Sequence, residues 1–242
     1  MLEVKNLEKR FGDFLAVKGV SFSVGEGEVL GFLGPNGAGK STTMRMITGF
    51  LPPTSGTAVI DGHDIVTDPI AAKRELGYLP ESAPSYRAMT VRDYLHFIAS
   101  VRHDACPDAK KAVADVLVKA KLENVADQTI ETLSKGYRQR TAFAAAIIND
   151  PKVLIMDEPT DGLDPNQKFE VRKMIRKMAE EEKKAVIIST HILEEVDAVC
   201  THVVIISDGA AKTGTAADAK ISVAELKILK STTRRRASKW KR

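Results

Sequence analysis

The sequence predicts an α/β domain built on a mainly parallel sheet, with an antiparallel β portion at its N-terminal edge and an inserted helical segment. Three observations carry this expectation. The apolar runs 153–156, 186–188 and 203–206 have the length and composition of strands buried on both faces, and helical periodicity separates the first two. Residues 2–24 instead alternate apolar and polar positions around Gly12 and Gly19, as short antiparallel strands do. Residues 83–150 change period again and read as helices.

The elements follow in order. The run 28–33 is a compact apolar strand that ends in a glycine-rich loop, and 40–47 then reads as a helix stopped by Gly49 and Pro52-Pro53. Residues 57–60, followed by Asp61-Gly62, are a strand and a turn. Thr90 with Asp93 marks a helix start, and Val91, Tyr94, Leu95, Ile98 and Val101 follow on one face. Beyond Pro107, Ala112, Val113, Val116, Leu117 and Ala120 repeat the pattern. Asp164 and Pro165 are the cap and first-turn proline of a helix whose inner face is Val171, Met174, Ile175 and Met178. The charged cluster 180–184 reads as the solvated end of that helix. Strands are expected at 185–189 and 202–206. Repeated strand–helix units of this kind imply a largely parallel, helix-covered sheet.

Bulk properties narrow the class. The chain has 242 residues, 43% hydrophobic and 28% charged, enough for one large domain with a sizeable core. No apolar run reaches the roughly 18 residues needed to span a bilayer. Residues 1–10 are charged throughout, which is not the pattern of a signal peptide, so a cytosolic location is expected. Two cysteines, Cys106 and Cys200, lack zinc-site spacing and fit a reducing compartment. The net charge of +4 comes from the end of the chain. Residues 221–242 hold eight Lys/Arg against Glu225, and the remaining 28 basic and 31 acidic residues leave the body at −3. A basic tail on an acidic body argues against a nucleic-acid-binding domain. The expected division is a domain over 1–217 and a tail over 218–242.

The chemistry begins at Gly34-Pro35-Asn36-Gly37-Ala38-Gly39-Lys40-Ser41, which fits G-x-x-x-x-G-K-[ST] between a strand and a helix. Glycines let backbone N–H groups close on phosphate oxygens, and the helix N-terminus adds partial positive charge. Lys40 reaches the β- and γ-phosphates, and the Ser41 hydroxyl is a hard ligand for Mg²⁺. Thr42 follows in the same turn and joins the nucleotide-binding set. By itself this loop says only that a nucleoside triphosphate binds. Further on, the buried strand 153–156 runs into Asp157-Glu158 and delivers two acids to the sheet edge where ligands of open α/β sheets bind. Asp157 can hold the metal through water, and Glu158 can orient and deprotonate an attacking water.

Some twenty residues earlier stands Leu133-Ser134-Lys135-Gly136-Tyr137-Arg138-Gln139-Arg140. Together with the phosphate loop and the paired acids it resembles the ATP-binding-cassette (ABC) ATPase family, whose signature runs Leu-Ser-Gly-Gly-Gln. The resemblance covers about residues 2–215, and implies a P-loop NTPase core. It implies that Ser134 and Gly136 donate to the γ-phosphate of ATP bound on the opposite subunit, across a head-to-tail dimer of two copies. The run Glu158-Pro159-Thr160-Asp161-Gly162-Leu163-Asp164-Pro165 looks like the family's D-loop. His191, in Ser189-Thr190-His191, falls where the family's switch histidine contacts the γ-phosphate and the attacking water. Phe11 falls where an aromatic stacks on adenine. Tyr78-Leu79-Pro80-Glu81 is similar to the Q-loop, with Glu81 in place of a glutamine that helps ligate Mg²⁺ and couples to the transmembrane partner. Ionised, that carboxylate cannot donate a hydrogen bond. Lys135 and Tyr137 depart from the commonest signature in a way similar to ABC-2 exporter subunits, the gliding-motility-like branch included. The resemblance therefore implies an ATPase at the cytoplasmic face of the cell membrane that drives a separate multi-span permease, its membrane contact made through that permease. Two other classes fit the sequence less well. A soluble ABC ATPase of translation or repair would carry tandem cassettes or long coiled coils, and a P-loop kinase would lack the signature.

Overall fold

The computed structural model describes residues 1–82, 86–102 and 106–214; the expected basic tail lies outside them. Two sheets form the frame. Strands β1 (Leu2–Phe11), β2 (Phe14–Val24), β4 (Ser55–Ile60) and β5 (His63–Asp64) make an antiparallel sheet in the order β2-β1-β4-β5. The strands expected to be short here run to 10 and 11 residues, because β-bulges near Leu7 and Lys9 bend one long hairpin rather than divide it. The second sheet has the order β10-β9-β3-β8-β7-β6, from β3 (Val29–Leu33), β6 (Leu76–Leu79), β7 (Val153–Asp157), β8 (Ala185–Thr190), β9 (His202–Ser207) and β10 (Ala210–Gly214). It is parallel except for β10, which pairs antiparallel with β9.

Every residue of β3, β7 and β8 is buried, as strands covered on both faces require. Their side chains divide with a period of two. Leu154, Met156, Val186 and Ile188 join the core shared with the helical segment, whereas Val153, Ile155, Ala185 and Ile187 join the core beneath the antiparallel sheet. Helix α1 (Lys40–Ile47) packs into the latter through Met44, Met46 and Ile47.

The helical segment holds α3 (Val91–Val101), α4 (Ala109–Lys119) and α5 (Lys135–Ile147), preceded in the chain by α2 (Pro69–Arg74) and followed by α6 (Pro165–Glu180) and α7 (Leu193–Val199). The expected caps are present. Thr90 accepts from the backbone N–H of Asp93, and Asp164 forms a full capping box with Gln167. One expectation needs correction: residues 180–184 are not wholly a solvated end. Helix α6 stops at Glu180, and Lys184 is buried, its ammonium donating to Asp150 Oδ1 at 2.8 Å and to the Pro151 carbonyl at 2.7 Å. Strand β6 gave little signal because Gly77 interrupts it, where the Ala146 carbonyl and Pro151 press too closely to leave room for a Cβ.

In the parallel sheet β3 lies between β8 and β9, both later in the chain. The C-terminal ends of β3, β7 and β8 therefore meet where the strand order reverses, the place where open α/β sheets bind ligands.

Candidate functional site

The loop after β3 turns sharply into α1. Gly37 and Gly39 have φ of +80° and +105°, a region that side-chain-bearing residues rarely adopt. A Cβ on Gly39 would also sit 2.9 Å from the Ala16 carbonyl oxygen. The turn is held by Ala38 N–H donating to the Pro35 carbonyl at 3.2 Å, and by Gly34 N–H donating to the Thr190 carbonyl of β8 at 3.3 Å. Lys40, the first residue of α1, is only 6% exposed. Its ammonium folds back over the loop, 2.9 Å from the Gly34 carbonyl and 3.4 Å from that of Pro35.

Glu158 stands just beyond β7 with φ of +50°. For a glutamate this backbone costs about 1 kcal/mol or more and persists only where the surroundings fix it. Here its N–H donates to the Ser189 carbonyl at 3.1 Å, and the Asp161 N–H donates to the Glu158 carbonyl at 3.1 Å. The side chain is thereby aimed at the loop. Glu158 Oε1 lies 3.8 Å from Lys40 Nζ, and its two oxygens accept from His191 Nδ1 at 3.0 and 3.1 Å. A carboxylate only accepts, so Nδ1 carries the hydrogen and Nε2 is the ring atom left for another partner. Neighbouring Asp157 is 3% exposed and accepts a hydrogen bond from the Ser189 hydroxyl.

These groups surround a cleft of about 560 Å³. Of the residues singled out from sequence, Phe11, Asn36, Gly37, Gly39, Lys40, Ser41, Thr42, Glu81, Glu158 and His191 line it. Gly34, Pro35 and Ala38 shape its loop from behind. Asp157 lines instead a neighbouring groove of about 630 Å³, which Glu81 shares. Tyr78 also lines that groove; burial, then the nearby Asp157, pushes its phenol up to about 12, so it stays protonated. Phe14 and Ala16 line the nucleotide-sized cleft without having been singled out, and Asp161, from the run that resembles the D-loop, lines it with them. Phe14 could have been found: it pairs with Phe11 across the Gly12-Asp13 turn, and both rings are exposed.

Ser134 and Gly136 do not line this cleft. Ser134 caps α5, its hydroxyl accepting from the Tyr137 N–H at 3.4 Å. Gly136 is buried against the Gln167 side chain. The Tyr137 ring is covered by the Arg140 guanidinium, 4.3 Å from its centroid, and its hydroxyl accepts from Asn124 Nδ2 at 3.1 Å.

The loop fits a triphosphate. It offers a glycine cradle, one buried ammonium and a helix N-terminus, and Ser41, Glu81 and Asp157 are the hard oxygen donors nearby. Among the described residues no helix is long and apolar enough to cross a membrane.

Comparison with known proteins agrees. The sequence profile of the ABC transporter family matches residues 17–161. The Nod factor export ATP-binding protein I of Burkholderia orbicola is 38% identical over 208 residues, covering 86% of this chain and 68% of that protein. The linearmycin resistance ATP-binding protein LnrL of Bacillus subtilis is 38% identical over 209 residues, with 86% and 67% covered. Among solved structures, an ATP-binding subunit of an ABC transporter superposes with a TM-score of 0.78 at 29% identity, over 88% of this chain and 90% of that one. A dimeric ATP-binding cassette in a post-hydrolysis state with ADP and phosphate superposes with a TM-score of 0.77 at 25% identity, over 88% and 98%. With the phosphate loop, Glu158 and His191 gathered in one cleft and Asp157 beside it, the chain belongs to the ABC transporter family and is an ATPase subunit of a transport system.

Proposed function

We propose that this ATPase binds Mg-ATP in the cleft above β3, β7 and β8, works as a head-to-tail pair of copies, and drives a separate membrane permease of the ABC-2 exporter type. The observation that carries the reading is the contact set of Glu158, which touches both Lys40 and His191 while Ser134 lies outside the cleft. One subunit thus holds the phosphate loop and the water-activating groups, and a second copy must supply the signature.

The roles follow from the geometry. Lys40 leaves its loop carbonyls and Glu158 for the β- and γ-phosphates, and Phe11 stacks on the adenine. Magnesium, when bound, neutralises phosphate charge; Ser41 and Asp157 would hold it, the latter through water, and Glu81 would add a carboxylate. Glu158 takes the proton of the water that attacks the γ-phosphorus as the bond to the ADP oxygen breaks. His191 holds that carboxylate in place through Nδ1 and turns Nε2 towards the phosphate. Ser134 and Gly136, at the N-terminus of α5, donate to the γ-phosphate of the other copy's ATP.

The permease reading rests on family membership and on the second groove. Tyr94, Ile98, Val101 and Ala142 give it an apolar wall, Phe50 and Val101 are exposed, and Glu81 belongs to it and to the nucleotide cleft alike. A permease segment seated there would bear directly on a residue beside the nucleotide. The export reading comes from the relatives named for Nod factor export and linearmycin resistance. The protein would then sit peripherally on the cytoplasmic face of the membrane.

The test is Glu158→Gln, which keeps shape and removes the base. Phosphate release should fall at least ~10²-fold, ATP binding should persist, and the ATP-bound dimer should accumulate in size exclusion. Turnover within a few-fold of wild type would remove Glu158 from the chemistry.

A further inference from the structure

The tip of the β1–β2 hairpin holds two phenyl rings in the open: Phe11 is 49% exposed and Phe14 67%. They are opposite partners in the antiparallel register, with Gly12 and Asp13 as the turn between them. Side chains of opposed residues stand on one face of a sheet, their Cβ atoms about 5 Å apart. Both rings border the nucleotide cleft, as does Ala16 two residues on. The tip is held from behind. Gly12 takes a φ of +55°, Arg10 Nη1 donates to the Asp13 carbonyl at 3.4 Å, and the Arg10 N–H donates to Thr54 Oγ1 at 3.0 Å. Lys9 Nζ donates to the Pro52 carbonyl at 2.6 Å and lies 5.3 Å from the centroid of the Phe11 ring. One face of Phe11 is thereby occupied by an ammonium, and the other is left for a ligand.

This wall differs in chemistry from the rest of the cleft. Lys40, Glu81, Glu158, Asp161 and His191 come from the segments that follow β3, β6, β7 and β8. Phe11, Phe14 and Ala16 bring no polar side-chain atom. A phosphate chain gains nothing from such a wall, whereas a flat heterocycle does. Rings rooted about 5 Å apart stand too close to sandwich a base, because each aromatic pair prefers centroids about 4.5–7 Å apart. The second ring therefore extends the stacking surface of the first and meets the base from the side.

We propose that Phe14 is a second base-stacking residue: Phe11 takes one face of the purine and Phe14 its flank, and the pair selects for aromatic surface rather than for the hydrogen-bonding pattern of the base edge. This rests on the seat of adenine at Phe11 proposed above. Adenine and guanine offer similar faces and differ at their edges, so the pair holds both. Stacking lies away from the γ-phosphorus and is the same before and during phosphoryl transfer. Its loss therefore raises KM and leaves kcat in place.

The experiment uses the full chain and measures kcat and KM for ATP and for GTP, the melting temperature without nucleotide, and tryptophan emission. Phe14→Ala should raise KM about tenfold for both nucleotides, with kcat within twofold and the melting temperature unchanged, since the ring is exposed. Phe14→Leu keeps apolar bulk without a ring and should behave like Phe14→Ala, whereas Phe14→Trp should keep the wild-type KM. The chain has one tryptophan, Trp240, so Phe14→Trp also supplies a probe whose emission ATP should quench beyond any change in wild type. The proposal is overturned if Phe14→Ala keeps the wild-type KM, if Phe14→Leu matches Phe14→Trp, or if ATP leaves the added emission unchanged. It is overturned too if KM rises for ATP and not for GTP, because the base edge is then being read. Phe11→Ala is the reference. A wild-type KM there, beside a raised one in Phe14→Ala, would fault the seat proposed for adenine at Phe11 and keep Phe14 as the stacking ring.

Discussion

The nucleotide cleft and the signature segment are built by opposite means. In the cleft, groups far apart in sequence are brought together by buried parallel strands: Lys40 follows β3, Glu158 follows β7 and His191 follows β8, and all three touch one another or the same carboxylate. The signature is local. Ser134, Lys135 and Gly136 are consecutive residues at the start of α5, held by a cap and by packing on Gln167. The first arrangement gathers its groups within one chain, and Ser134 and Gly136 lie outside that cleft. The proposed pairing of two copies turns on this difference, and it can be broken by experiment.

The largest effect comes from separating the two regions onto different subunits. Lys40→Ala removes the charge that steadies the β- and γ-phosphates, and Ser134→Arg places a bulky cation at the signature. Each homodimer then has two defective sites and should show no measurable turnover. In a mixed dimer one site collects both lesions and the other none, so ATP hydrolysis should return at one site per dimer. The measurement is phosphate released per purified, differently tagged heterodimer, with a crosslink proving that it formed. A crosslinked heterodimer that turns over no faster than its parents would return the signature to a plain helix cap.

How far each region could be read in advance follows from the same contrast. The phosphate loop announces itself, because the geometry of phosphate capture demands those residue types at fixed spacing. Strands β3, β7 and β8 were legible because burial on both faces makes them apolar throughout. The roles of Ser134 and His191 needed the family resemblance, since a capping serine and a strand-end histidine have no chemical signature of their own. What stayed hidden is tertiary: the left-handed backbone of Glu158, the buried amine of Lys184, the ion pair of Arg172 with buried Glu195, and Ala16 in the cleft wall. Each depends on neighbours distant in sequence, and local pattern carries no trace of it.

A smaller effect is expected at Gly136. A Cβ there would run into the Gln167 side chain, which forms the capping box of α6 with Asp164. Gly136→Ala should push Gln167 aside and lose part of that cap, costing roughly 1 kcal/mol, read as a fall in denaturation midpoint. ATP binding to the cleft of the same subunit should not change. If the melting curve stays put while ATP-driven dimerisation fails, the glycine is kept for the partner's nucleotide rather than for its neighbour.

Smaller again is Glu81→Gln, which restores the amide common in the family. Glu81 lines the cleft but makes no contact with Lys40 or Glu158 like those that join these two. Losing one carboxylate should weaken the response of turnover to magnesium by a few-fold, about the 1 kcal/mol of one exposed charge interaction. A titration of phosphate release against Mg²⁺ reads it, and an unchanged midpoint would put Glu81 outside the metal's reach.

The least effect is expected where the two regions touch through an exposed ion pair. Lys135 Nζ lies 3.9 Å from Asp161 Oδ2, with the two side chains 54% and 58% exposed, and its chain runs across Gly162. Such a pair is open to solvent and to ions, so Lys135→Gln should change stability by less than ~1 kcal/mol. In a chain of this length that moves the melting temperature by only about 2–4 °C. The effect should vanish in 1 M salt, where the screening length falls to about 3 Å. Gln139→Ala, which removes the part-buried hydrogen bond to the Pro159 carbonyl, should cost more, about 1 kcal/mol, and should not depend on salt. Melting curves of both variants at low and high salt settle the order. If Lys135→Gln proves the more damaging and salt leaves its effect intact, the signature and the cleft are bound together within one subunit by the lysine. The independence of the two regions in the single chain would then have to be given up.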